Sequence, residues 1–320
     1  MVHPMIVALA GGVGAARMLS GLAAVMDPAQ ITAVVNTGDD VVLHGLHISP
    51  DLDTVTYTLA GMINPETGWG LRDETWSAMG ELRAYSSARL GWFNLGDRDL
   101  GTHLYRTTRL VEGASLSCVT SEIAARWGVE VRLLPMSDER VETRVVIAGE
   151  GVEIGFQEYF VGRRHEVAVS AVHFRGVETA SASPGVLDAI AAADRVVICP
   201  SNPIVSIGPV LATGGIGEAV AAVRSKVTAV SPIVAGRALK GPADRMLTEL
   251  GHSSDVVGVA RIWAPFAHSL VIDEADRHLA SEVDAAGIAP IVSPTVMSDP
   301  ARAAALARVV LAAPSGDRRT

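Results

Sequence analysis

The chain has 320 residues, with 26 Lys and Arg against 35 Asp and Glu for a net charge of −9, and is 49% hydrophobic but only 4% aromatic. That length makes one large or two ordinary domains around an aliphatic core, and the acidic balance excludes a broad nucleic-acid or membrane surface, since both are bound through excess Lys and Arg. Two cysteines without metal-site spacing, Cys118 and Cys199, no apolar run of membrane-spanning length and no basic-then-apolar leader point to a cytoplasmic, reduced protein.

The first element is an apolar run, Met5 to Leu9, which meets Gly11, Gly12 and Gly14 and then helical spacing at Met18, Leu22 and Val25. Glycine lets the backbone approach an anion without a Cβ, and the first helical turn offers unpaired amides at the positive end of the helix dipole. A phosphate-binding turn and a plain tight β–α turn both fit; Arg17, one turn on, favours phosphate. The third glycine of the dinucleotide fingerprint is absent, as is the Lys-Ser/Thr pair of a P-loop.

A second β-type run, Ile31 to Val35, ends in Asn36-Thr37-Gly38-Asp39-Asp40, and the strand–helix–strand order brings this acidic turn to the same sheet edge as the glycines. Ser49-Pro50-Asp51-Leu52-Asp53-Thr54 follows, with a short helix expected over Val55 to Met62, capped by Asp53 or Thr54. Two carboxylate clusters beside a phosphate loop suit a hard divalent cation, although Asp39 and Asp40 also fit turn chemistry and Asp53 a helix cap. His44 and His47 fit a surface turn as well as a place near that metal.

Trp69, Trp76 and Trp92 stand in Gly-rich segments of a chain otherwise poor in aromatics, which suggests either a flat, stacked ligand or loops pinned to the core. Arg98, between Asp97 and Asp99, fits a phosphate clamp or a structural ion pair. Further on, Leu116 to Trp127 reads as an amphipathic helix, Val129 to Leu134 as a strand, and Val141 to Ala148 with Val152 to Gln157 as a β-hairpin. A helix at Val186 to Ala193 and a strand at Arg195 to Cys199 lead into Pro200 to Pro209, expected to be non-helical because three prolines interrupt it, and a second ligand edge through Ser201, Asn202 and Ser206. Two further strand-to-loop repeats follow, from Val227 and from Leu270, before a last helix from Pro300 to Leu311. The fold expected is α/β: a Rossmann-like, doubly wound, mostly parallel sheet built from 1–61 and 181–312, a smaller α+β insertion at 62–180, and a disordered tail at 313–320.

The words AGGVGAAR, VVNTGDD, SPDLDT, LGDRD, LPMSD, PSNPIVSIGP and SPIVAG, in that order over most of the chain, resemble the 2-phospho-L-lactate transferase family of coenzyme F-420 biosynthesis. The resemblance implies transfer of a phosphorylated three-carbon acid from a guanosine-diphosphate-linked donor to the primary hydroxyl of the deazaflavin Fo, with release of GMP, Mg2+ as cofactor and a homodimer. Carried over by motif, it implies Asp39 and Asp53 as metal ligands and catalytic groups, with Asp40 and Asp51 close by. Fo would be held by Asp53 and Asn94, with Arg98 and Trp69 as further candidates from the residues themselves. The nucleotide would lie on Gly11, Gly12 and Gly14, with Arg17, and on the loop carrying Ser201, Asn202 and Ser206. Relatives can carry Lys where this chain has Asn94. An Ala-, Arg- and Val-rich, Lys-poor composition resembles that of high-GC bacteria, whose family members imply an enolpyruvyl rather than a lactyl donor and a guanylyltransferase to make it. Two other classes share features of the sequence: a nucleotide-sugar-binding regulator of the same superfamily, and an NAD-dependent oxidoreductase using Asp39 on the ribose.

Overall fold

In chain order, an apolar pentapeptide, β1 (Ile6–Ala10), enters the helix α1 (Gly12–Ala23), and β2 (Ile31–Val35) returns beside it in parallel, Ile6 facing Ile31. The computed structural model describes residues 4–85 and 92–316. The helices α2 (Pro50–Leu59), α3 (Asp97–Val111) and α4 (Leu116–Arg126) follow, then β3 (Arg132–Pro135). Next come β4 (Glu142–Ile147), β5 (Glu153–Gly155) and β6 (Val169–Arg175), and then β7 (Arg195–Ile198), β8 (Val227–Val230), β9 (Ser269–Ile272), β10 (Ala289–Val292) and α5 (Pro300–Ala312).

Seven of these strands form one parallel sheet in the order β10-β9-β8-β7-β1-β2-β3. The order reverses between β1 and β7, the position at which doubly wound sheets open a crevice beyond the carboxyl ends of their strands. Both faces are covered, so the strands read as continuous apolar runs, and alternate residues serve opposite sides. Val7 and Leu9 pack into one cluster with Val196 and Ile198, while Ile6, Ala8 and Ala10 pack into the other with Met18, Leu19 and Leu306.

Several stretches differ from the sequence expectation, among them Val169–Arg175 and Ala289–Val292, which form strands not read from the sequence. Arg132–Pro135, expected inside the insertion, is the edge strand of the main sheet, pairing Thr32 with Arg132, because Leu133 and Leu134 bury themselves on its two faces. The remaining antiparallel sheet, β5-β4-β6, packs its own small core against Val205 and Met246 of the main body. The helix expected from Val55 starts five residues earlier, at Pro50, whose fixed φ suits a first helical position. Asp51 and Asp53 are therefore turned into the helix's buried first turn rather than placed before it.

The loop after β7, expected to be non-helical, winds into a π-type turn, Pro203–Ile207, and a short helix, Gly208–Ala212. Pro203 and Pro209 stand at helix starts, where no amide is needed, and the Asn202 side chain accepts from the amides of Ile204, at 2.9 Å, and Val205. At the far end Ala313 is buried, its carbonyl accepts from Arg195 at 2.7 Å, and the Gly316 amide donates to the Ser225 carbonyl. Residues 317–320 of the expected tail lie outside the described residues, as do Leu90 and Gly91 of the LGWFNLGDRD stretch.

Candidate active site

A cavity of about 500 Å³ opens beyond the carboxyl ends of the strands at the switch point. The turns after β1, β2, β7 and β8 all contribute to its wall, through Gly11, Asp39, Ser201 and Ser231, and α2 contributes Asp51 and Asp53. Gly11 and Gly14 are glycine for packing: a Cβ on Gly11 would stand 2.7 Å from Ser206 Cβ, and one on Gly14 would run into the Pro200 carbonyl oxygen. These two contacts seat the start of α1 directly against the loop after β7. Gly12 has φ +71, a left-handed conformation that suits glycine, and its amide donates to the Asp51 carboxylate. A carboxylate of the chain itself thus occupies one of the donors expected to face phosphate.

Two of the cavity's carboxylates, Asp39 and Asp51, are buried and lie side by side. Asn36 bridges them, its Nδ2 donating to Asp51 at 2.9 Å and to Asp39 at 3.4 Å while its Oδ1 accepts from the Gly38 amide. From the helical turn that follows β5, Gln157 donates to Asp39 at 3.0 Å. Burial raises Asp39 well above the usual carboxylate range, helped by the charges of Asp51 and Asp40, and burial pushes Asp51 up to about 6 against the pull of Asn36 and the Gly12 amide. Every donor on this pair is neutral, so its negative charge is oriented but not cancelled. Two oxygen ligands in that state fit a hard divalent cation, and Asp39 and Asp51 would hold it.

Asp53 stands in a different environment. Both of its oxygens face the buried guanidinium of Arg106, Oδ2 at 3.1 Å from Nη1 and Oδ1 in a second, shorter contact with Nη2. His103 lies 3.7 Å from Asp53 and 3.2 Å from Asp99, which also accepts a 2.6 Å bond from the Tyr57 hydroxyl. Asp99, His103 and Arg106 recur along α3 at helical spacing, so one face of that helix carries the whole set. Although Asp53, Asp99 and His103 are near enough to share an ion, Arg106 already neutralises Asp53. As a ligand set, Asp39 with Asp51 therefore fits a cation better than Asp39 with Asp53.

Of the other expected residues, Gly11, Gly12, Gly14, Arg17, Trp69, Asn94, Ser201, Asn202 and Ser206 all line the cavity. Asp40 does not. Its Oδ2 accepts from the Ser49 hydroxyl at 2.7 Å, its Oδ1 is buried without a partner among the described residues, and burial pushes it up to about 8. Arg98 is also outside the lining, its guanidinium donating to the Arg72 carbonyl at 2.8 Å. Asn94 accepts from Arg83, and Arg17 donates to the Met297 carbonyl at 3.0 Å. His44 and His47 sit on a tight hairpin away from the lining. Trp69 and Trp92 are joined in the wall by Phe93, Phe156 and Phe160. Sequence reasoning left out Asn36, Gln157, His103, Arg106 and Lys240. The spacing Asp99, His103, Arg106 was a usable signal for part of that group.

Residues 6–304 match the family described as 2-phospho-L-lactate transferase CofD. The chain is 48% identical over 311 residues to a Kitasatospora aureofaciens protein named phosphoenolpyruvate transferase, covering 96% of this chain and 97% of that one. Proteins of the same name from Streptomyces coelicolor and Mycolicibacterium smegmatis are 45% and 43% identical, each over 96% of this chain and 97% of their own length. Two crystal structures of a Bacillus halodurans protein, described as a member of the UPF0052 family, superpose with TM-scores of 0.63 and 0.60 at 16% and 15% identity, covering 97% of this chain and 100% of theirs. That similarity is one of fold. By the match of its sequence from β1 into α5, the chain belongs to the 2-phospho-L-lactate transferase family.

Proposed function

We propose that the protein transfers a phosphoenolpyruvyl group from a guanosine-diphosphate-linked donor to the primary hydroxyl of the deazaflavin Fo, releasing GMP. The hydroxyl oxygen forms a bond to the phosphorus bearing the enol acid, the bridging bond from that phosphorus to GMP breaks, and the hydroxyl proton is lost. The choice of the enolpyruvyl over the lactyl acid rests on the name shared by the relatives at 43–48% identity. A guanylyltransferase supplying the donor, and a homodimer, belong to the same reading.

The observation that carries the proposal is a buried carboxylate pair, held by neutral amides, in the wall of an aromatic-lined cavity at the switch point. Phosphoryl transfer consists mostly of positioning and charge neutralisation, so no nucleophilic side chain is required. Asp39 and Asp51 would hold Mg2+, which when bound would supply neutralisation for the diphosphate. Trp69, Trp92 and Phe156 offer faces on which a flat tricyclic ring can stack. Asp53, fixed by Arg106, presents an oriented acceptor for the Fo hydroxyl.

Titration with Fo, followed by the deazaflavin's fluorescence with and without GDP and Mg2+, tests the reading. Saturable binding is expected, and Asp51→Asn is expected to remove the Mg2+ dependence of GDP binding. Fo fluorescence that never saturates under any of these conditions overturns the proposal.

A further inference from the structure

The four aspartates of the cavity wall, Asp39, Asp51, Asp53 and Asp99, come from β2's turn, α2 and α3. Among the described residues of the lining there are two Lys or Arg side chains, Arg17 on α1 and Lys240 in the loop after the hairpin formed by Ile233–Val234 and Arg237–Ala238. Neither has an ion-pair partner among the described residues; Arg17 donates to the Met297 carbonyl and Lys240 to the Thr67 carbonyl, at 3.0 and 3.2 Å. Partial desolvation of the otherwise exposed Lys240 lowers its ammonium from its ordinary value, and the neighbouring Arg17 charge lowers it further. Two like charges facing one cavity with only carbonyl partners are held at a cost that an anion removes.

We propose that Arg17 and Lys240 form an oxyanion site that binds a phosphate or carboxylate group of the donor, a deepening of the transferase reading on which it rests. The donor carries charge in two places, on its diphosphate and on the carboxylate of the three-carbon acid. A single cation on Asp39 and Asp51 meets one of them. Lys240 also spans from its loop to Thr67, beside Gly68 and Trp69, so an anion here fastens the two loops that face each other across the cavity mouth.

Calorimetric titration of wild type, Arg17→Met and Lys240→Met with GDP, phosphoenolpyruvate and inorganic pyrophosphate, at fixed Mg2+, is the test. Lys240 is exposed, so its replacement leaves the packed core untouched. Each variant is expected to bind at least one probe about tenfold more weakly, the loss of one charge-assisted hydrogen bond. Loss on phosphoenolpyruvate alone identifies the carboxylate as occupant, and loss on pyrophosphate and GDP identifies the diphosphate. Variants that bind all three probes like wild type overturn the site, as does a wild type that binds none. Pyrophosphate bound through Arg17 and Lys240 by a protein that ignores GDP upholds the oxyanion site and refutes the guanosine donor.

Discussion

Asp39 and Asp51 are each 7% exposed, yet an amide of Asn36, an amide of Gln157 and the Gly12 backbone hold them, with no cation among these donors. Outer-shell groups of this kind orient ligand oxygens, and losing one typically weakens metal binding by about 10- to 100-fold. Gln157→Leu is therefore expected to weaken Mn2+ binding by about tenfold, read by paramagnetic resonance of free Mn2+, with the melting temperature nearly unchanged. Unchanged Mn2+ affinity would contradict the role. Asp40 makes a separate, titration-based prediction. Its folded value of about 8 lies above the unfolded 3.8, so its contribution to stability is fully present below pH 4 and is lost as pH rises through 8. In chelator, the melting temperature of Asp40→Asn should match wild type near pH 4, gain on it up to pH 8, and level off above. The acidic words NTGDD and SPDLDT were enough to place these carboxylates at one edge of the sheet. What they could not reveal was which of them meets a guanidinium, because Arg106 stands 53 residues from Asp53 and Gln157 stands 118 from Asp39.

At the scale of elements, α2 and α3 are joined by the Tyr57–Asp99 hydrogen bond and by a buried ion pair, Asp53 with Arg106. Breaking such a pair from one side leaves a charge without its partner and costs about 3–5 kcal/mol, whereas replacing both members by apolar groups is often close to neutral. Arg106→Met is expected to lower denaturant stability by about that amount, and Arg106→Met with Asp53→Leu to recover most of it. A double variant no more stable than Arg106→Met would show that the charge imbalance is not the cause. The loop after β7 was misread because its prolines were taken as barriers to a helix. Pro50, Pro203 and Pro209 instead open their helical segments, where the missing amide is not needed, and Ser49 and Asn202 stand at the caps. Most strands were legible as short apolar or alternating runs closed by turn residues, but Val169–Arg175 and Ala289–Val292 were not read as strands, and Arg132–Pro135 was assigned to the wrong sheet because a local pattern does not say which neighbour a strand will find.

For the whole molecule, the sheet order places the turns after β1, β2 and β7 around one crevice, and the charges lining that crevice are segregated, four aspartates from β2's turn, α2 and α3 and two cations from α1 and the loop of Lys240. A cation that binds the folded protein through Asp39 and Asp51 must displace the protons those residues favour. Mg2+ is therefore expected to raise the melting temperature more at pH 8 than at pH 5, and an equal shift at both would place the ion elsewhere. Among the described residues, no helix is long and apolar enough to cross a membrane. The doubly wound architecture was readable from alternating strand and helix patterns, while the convergence of Gln157, Lys240 and Trp69 on one cavity depends on long-range packing that no local pattern encodes.

The most direct test of the transferase reading is the mass of the product formed from Fo and each guanosine-diphosphate-linked acid in the presence of Mg2+, for wild type and for Asp39→Asn and Asp51→Asn. The expected result is Fo increased by one phosphoenolpyruvyl group, with GMP released in equal amount, and no product from either variant. Fo recovered unchanged from wild type with both donors, or full product from Asp51→Asn, would contradict it.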